Sequence, residues 1–277
     1  CSQSTLYEAL FSAVDARDLP GMTDVDASLL YFCSLVARHN KVTLTGECAD
    51  EIFGGYPWFH RKEMYMQNTF PWSCDLSPRI VLFKDDFINS LPLKEYVDDA
   101  YETSINQCPH TDGETITEYN RRKISWLNIR WFMMTLLNRM DRCSMYSGLE
   151  ARVPFADYRI LEYVFNVPWE YKCYNNQVKS LLVECGKKYL PPEILYRKKS
   201  PYPKTYDPTY EKLLGTMVIE EYKSNNKLQK YIDYNKLIKF INSPKDYGKP
   251  WYGQLMAGPQ MLAYVLQISY MLRKYNL

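Results

Sequence analysis

Three short stretches of this sequence carry side chains able to do chemistry. The first runs Val42-Thr43-Leu44-Thr45-Gly46-Glu47-Cys48-Ala49-Asp50-Glu51-Ile52-Phe53-Gly54-Gly55-Tyr56. A β-branched apolar run ends at Thr45-Gly46, and the carboxylates of Glu47, Asp50 and Glu51 follow at once. The carboxyl end of a parallel strand is where open α/β sheets place ligands. A glycine there lets a ligand approach the backbone closely. Carboxylates in that place suit Mg²⁺ bridging or holding an amine rather than taking phosphate directly. Acids at a helix start also simply favour the helix dipole, and spacing alone does not choose between these readings.

The second stretch, Asn138 to Asp157, alternates the charges of Arg139, Asp141, Arg142, Glu150 and Arg152 beside apolar residues. Charges next to a core need partners, so it reads either as a network scaffolding a site or as a capped helix end. The third, Tyr196-Arg197-Lys198-Lys199-Ser200-Pro201, has consecutive cations. These can offset phosphate charge or form a solvated basic loop.

The elements that must position these residues are mostly helical. Leu6, Leu10, Phe11 and Val14 share one face of a helix expected over Ser4 to Arg17. Asp24 is expected to cap a second helix over Ser28 to Arg38. Lys41 to Leu44 reads as one buried strand, and Glu47 to Phe53 as a helix stopped by Gly54-Gly55. From Glu114 to Met140, Ile116, Tyr119, Leu127, Trp131 and Met134 recur at near-helical spacing. Asp157 to Asn166, Gln177 to Lys188 and Pro259 to Tyr275 also have helical character, and Pro201 and Pro203 mark a loop. Residues 1–56 thus read as part of a parallel α/β unit, and 57–277 as a helical region.

The 277 residues carry 34 basic and 32 acidic side chains, a net charge of +2, which gives no argument for a nucleic-acid partner. Met261 to Leu272 is too short for a membrane span and is broken by Gln267 and Ser269. Glu8, Asp15 and Asp18 rule out a signal-peptide core. The eight cysteines form no CxxC pair. In a chain of this size they read as reduced thiols of a cytoplasmic protein.

In wording and order, these stretches resemble the glutamine-hydrolysing asparagine synthetases. Thr45 to Tyr56 is similar to that family's S-G-E-G-x-D-E-x-F-G-G-Y signature. Asp141-Arg142 through Gly148-Leu149-Glu150-Ala151-Arg152-Val153-Pro154-Phe155-Ala156-Asp157 is similar to its D-R-x-S-M-x-x-G-L-E-x-R-V-P-F-L-D. The resemblance runs from about Leu6 to about Lys199. Thr45, Cys48, Ala49, Ala156 and Val183 depart from the usual residues. Cys1 leads into Ser2-Gln3-Ser4 rather than a glycine-rich stretch, unlike a glutaminase nucleophile.

The resemblance implies the mainly helical portion of an adenine nucleotide α-hydrolase-like (ATP-pyrophosphatase) α/β domain, with one or two short parallel strands. It implies MgATP, aspartate and glutamine-derived ammonia as reactants, with a β-aspartyl-AMP intermediate. Thr45 and Gly46 would contact the nucleotide, Asp50 would help hold Mg²⁺, and Glu47 and Lys199 would be catalytic. Asp141, Arg142, Glu150, Arg152 and Lys179 would form a supporting shell. A β-lactam synthetase-like or peptide-cyclising homologue, or a non-catalytic domain, are the alternatives. The family's S-G-G-x-D-S pyrophosphate loop and its glutaminase domain are not found in this sequence, and both are expected as partners of the segment. The 277-residue chain alone is therefore expected to release no pyrophosphate from ATP and aspartate; a pyrophosphate assay on the purified chain checks this.

Overall fold

The computed structural model describes residues 2–197, 207–243, 250–251, 254–255 and 258–277. Leu6, Leu10 and Val14 recur at the spacing of one helical face, and all three are buried on α1, Gln3–Arg17. Ser2 caps this helix, accepting from the Thr5 N–H at 3.2 Å. Next comes α2, Thr23–Ala37, which packs along α1. It begins five residues before the expected start because Asp24 is not a cap. Its buried carboxylate instead accepts from the Tyr210 hydroxyl at 3.1 Å and from Gln260 Nε2 at 2.7 Å. Those partners stand on helices Pro208–Ser224 and Gly258–Lys274. Leu214, Val218, Leu262 and Leu266 of these helices join Leu6 and Leu10 in one core.

A second core is aromatic. Trp58, Phe59, Tyr65, Phe70, Trp72 and Phe132 pack around Ile124 and Leu127. Beneath it runs the longest helical stretch: Ile116–Leu127, a π-helical segment over Asn128–Met133, then Met134–Tyr146. Thr115 and Glu118 form a capping box at its start. The face expected from spacing is only partly right here: Leu127 is buried as expected. Ile116, Trp131 and Met134 are exposed, whereas Ile124, Leu127, Phe132, Leu136 and Met140 are buried. A π turn takes more residues than an α turn, so it rotates the apolar stripe away from a single 3.6-residue register.

Strand β1, Val42–Leu44, pairs in parallel with β2, Glu150–Arg152, in the register Val42↔Glu150, Thr43↔Ala151, Leu44↔Arg152. The main-chain ladder extends at both ends, Glu150 N–H donating to Lys41 and Thr45 N–H to Arg152. The chain is thus mainly helical with two short parallel strands. A separate two-residue antiparallel pair joins Pro250–Trp251 to Gln254–Leu255. β1 is not the buried strand its composition suggests. Leu44 is 72% exposed and Val42 is exposed as well, because among the described residues β2 is the one strand paired with it. Among the described residues no helix is long and apolar enough to cross a membrane.

Leu213 and Leu214 are neighbours in one helix, yet Leu214 is fully buried and Leu213 is 40% exposed. Leu214→Ala is expected to cost about 2–5 kcal/mol, and Leu213→Ala less than about 1 kcal/mol. Urea unfolding of both variants checks the assignment of this core.

Candidate functional site

The carboxyl end of β1 is where the acidic turn begins. Thr45 continues the ladder, and a Cβ added to Gly46 would meet nothing within 4 Å, so its backbone faces open space. Cys48 turns the chain with φ 71°, a left-handed conformation that favours glycine. It is buried with Ala49, Ile52 and Phe53 against Met133 and Val164. Helix α3, Ala49–Phe53, follows, and Gly54 ends it with φ 74°. A Cβ at Gly55 would lie 1.7 Å from Asp50 Oδ1, so the carboxylate occupies the space a side chain would need.

Each acid of the turn takes a different partner. Glu47 Oε1 accepts from Arg139 Nη2 at 2.8 Å. Burial works against the charge of Arg139, but Glu47 and Asp26 outweigh it and hold the guanidinium ionised. Asp26, itself buried, also pairs with Arg17 and accepts from the Met22 N–H at 2.9 Å. Glu47 Oε2 is buried without a hydrogen-bond partner among the described residues. Asp50 lies 3.1 Å from Lys179 Nζ, both side chains being about a quarter exposed. Glu51 is 1% exposed and accepts from the Tyr56 hydroxyl at 2.5 Å, behind the Tyr56–Trp58 stack. Burial raises the pKa of Glu51, and the Tyr56 hydrogen bond only partly opposes it.

A cavity of about 520 Å³ opens beside Glu47. Thr45, Glu47 and Arg139 give it a polar end, and Val25, Leu29, Phe32 and Leu35 of α2 an apolar wall. Such a space can take an amphiphilic ligand and fix its polar end. Among the described residues there is no group of three or more His, Cys, Asp or Glu side chains able to hold a metal ion.

Of the residues singled out from sequence, Thr45, Gly46 and Glu47 stand together at the strand end, with Asp50 and Lys179 paired on the next turn. Arg142 is elsewhere: its Nη1 donates to the Arg17 carbonyl at 3.2 Å and to Asp18 at 2.9 Å, closing the C-terminus of α1. Glu150 and Arg152 pair with each other at 2.8 Å on the exposed side of β2. Asp141 is exposed. Lys199 lies outside the described residues. Arg139 is the contact that sequence reasoning undervalued, placing it in the charged alternation without a role of its own. The signal was present: Leu136, Arg139, Met140 and Cys143 follow the i, i+3, i+4, i+7 pattern of one inward helical face.

The family pattern described as asparagine synthase matches residues 1–272. The chain belongs to the asparagine synthase family. It is 45% identical over 279 residues to asparagine synthetase [glutamine-hydrolyzing] 3 of Bacillus subtilis (strain 168), covering 100% of this chain and 45% of that protein. It is 26% identical to asparagine synthetase [glutamine-hydrolyzing] 1 of the same organism, over 66% of this chain and 34% of the relative. Asparagine synthetase B [glutamine-hydrolyzing] of Escherichia coli (strain K12) is 24% identical over 58% of this chain and 20% of its own length. The chain spans less than half the length of these curated relatives.

The raised pKa of Glu51 gives a sign for pH dependence. The folded state holds the Glu51 proton more tightly than the unfolded chain does. Its contribution is therefore full below the ordinary carboxylate range and is lost as pH rises through the elevated value. Glu51→Gln keeps an acceptor for Tyr56 but does not ionise. Its melting temperature relative to the parent is expected to rise between about pH 5 and about pH 8. A gap that stays flat or shrinks in paired thermal melts would overturn this account of Glu51.

Proposed function

We propose that this chain supplies part of the active site in which aspartate is converted to asparagine at the expense of ATP, with ammonia derived from glutamine. The observation that carries the reading is the Glu47–Arg139 pair at the carboxyl end of a parallel strand, opening on a cavity with one polar end. Family membership and the relatives' names support it. On this reading residues 1–56 belong to the nucleotide-binding unit of an adenine nucleotide α-hydrolase-like domain, and the parallel β1–β2 pairing is consistent with that.

In the first step an oxygen of the aspartate β-carboxylate attacks the α-phosphorus of ATP. The new P–O bond forms as the bond to pyrophosphate breaks, giving β-aspartyl-AMP. An anion attacks an anion, so cationic groups must offset the charge. Thr45 and the open backbone of Gly46 line the place where the nucleotide would approach. Asp50 fits one ligand position of a nucleotide-borne Mg²⁺, an ion that takes one or two protein carboxylates and otherwise phosphate and water. When bound, that ion would lower the phosphate charge. Lys179 sits 3.1 Å from Asp50 and would compete for it.

In the second step ammonia attacks the β-carbonyl carbon, and AMP leaves. The nitrogen must lose a proton. Glu47 Oε1 is engaged by Arg139, which fixes the carboxylate's orientation. Oε2 has no such bond among the described residues and is the oxygen assigned to take the proton. Lys199 is assigned, from the motif, to the oxyanions of both steps.

Both residues act on charge that develops during reaction. In an enzyme carrying this segment, removing either is expected to lower kcat by on the order of 10²–10³, with less effect on KM for ATP. Lys199→Ala is expected to slow both steps. Glu47→Gln keeps size but cannot accept the proton, so it is expected to release pyrophosphate while making little asparagine. The ratio of pyrophosphate to asparagine decides the matter: a ratio near that of the parent removes Glu47 from the second step.

A further inference from the structure

We propose that a second cleft, between helix Ile116–Leu127 and the turn Trp169–Lys172, binds a small oxyanion, a phosphate or carboxylate group gripped by Arg121 and Lys172. This cleft has a volume of about 330 Å³ and shares no lining residue with the cavity at Glu47. Arg121, Arg122 and Lys172 line it together with the rings of Phe165 and Trp169.

The case rests on a buried ammonium that no carboxylate pairs with among the described residues, and on a guanidinium held between two aromatic rings. Lys172 is only 4% exposed. Its ammonium has one long contact, to the Phe165 carbonyl at 3.5 Å, and no carboxylate partner among the described residues. Burying an ammonium without a counter-ion is costly, and an ammonium offers three donors. Arg121 is sandwiched, its guanidinium 5.0 Å from the Tyr65 ring centre and 4.9 Å from that of Trp169. Its Nε is buried and has no hydrogen-bond partner among the described residues. Stacking holds the guanidinium plane while leaving its edge for a planar or tetrahedral oxyanion.

The carboxylates lining the cleft are already engaged or lie at its mouth. Glu114 pairs with Arg122 at 2.9 Å and with His110 at 3.7 Å. Glu118 closes the capping box on Thr115. Asp112 is exposed. Three carboxylates and three cations line the cleft, and the charges of Arg122 and Arg121 act on Glu118, yet no carboxylate among the described residues pairs with the Lys172 ammonium. Burial first, and the neighbouring Arg122 second, lower the pKa of Lys172 to about 8. An oxyanion would reverse that shift, so binding takes up a proton and weakens as pH rises through this value.

The test is calorimetric titration of the protein with inorganic phosphate and, separately, with malonate, at constant ionic strength made up with chloride. Saturable binding of at least one of them is expected, and the stronger of the two identifies the source of the oxyanion. Lys172→Met and Arg121→Gln are each expected to weaken it about tenfold or more, and Lys172→Arg to retain it. Malonate does not titrate between about pH 7 and about pH 9. Proton uptake on its binding in that range, read from buffers of different ionisation enthalpy, is expected in the parent and absent in Lys172→Met. Melting curves without anion show whether each variant is folded; Arg121→Gln, at a partly exposed position, keeps the test open if Lys172→Met unfolds. Failure of the parent to bind either anion saturably, or binding that both folded variants leave unchanged, would overturn the proposal.

Discussion

A guanidinium placed beneath a protein's surface must meet carboxylates, and Arg139 imposes that requirement on everything around it. It reaches Glu47 at the end of β1 and lies in the field of Asp26 on α2, which in turn holds Arg17 of α1. Three consecutive elements and a helix about a hundred residues further on are thereby brought to one point. A buried pair of this kind adds little to stability over apolar packing, but losing one partner strands a charge and costs about 3–5 kcal/mol. The arrangement is thus better understood as specifying geometry. It holds one carboxylate oxygen of Glu47, a residue that lines the cavity, and leaves the other without a hydrogen bond among the described residues.

The acidic turn shows how a short sequence can be divided among environments. Three carboxylates within five residues would repel one another if they shared one solvent pocket. Instead Glu47 takes a guanidinium, Asp50 an ammonium and Glu51 a phenol hydroxyl inside the aromatic core. The strained φ of Cys48 makes this division possible, since it turns the chain sharply between the strand and α3.

Much of this was legible beforehand, and the failures have physical causes. The apolar period of α1 and its stop near Arg17 were visible because burial there is local and regular. The carboxyl-end position of Glu47 followed from the β-branched run before it. The start of α2 was misjudged because Asp24 has the side chain of a cap but spends it on Tyr210 and Gln260, 186 and 236 residues away. The second stretch reads either as a network scaffolding a site or as a capped helix end; Arg142 closes a helix end, while Glu150 and Arg152 pair on an exposed strand. Adjacent letters do not say which way side chains point once a helix gives way to a strand. β1 was expected to be buried on composition, but burial is set by neighbours, and apolar letters do not count them.

The π-helical segment at Asn128–Met133 has an evolutionary consequence. Upstream of it the helix faces the aromatic core; downstream, Met140 and Cys143 face α1 and α2. Each residue of an α-helix advances the azimuth by about 100°, so removing one residue from the α-helical stretch Met134 to Asn138 would swing everything downstream about the axis. Arg139 would leave Glu47, and Met140 and Cys143 would leave their core. The spacing between the end of the π-helical segment and Arg139 is therefore fixed to the residue. When homologous genes gain or lose single codons, the gaps should collect in the exposed connection over residues 106–114 and be purged from 134–143.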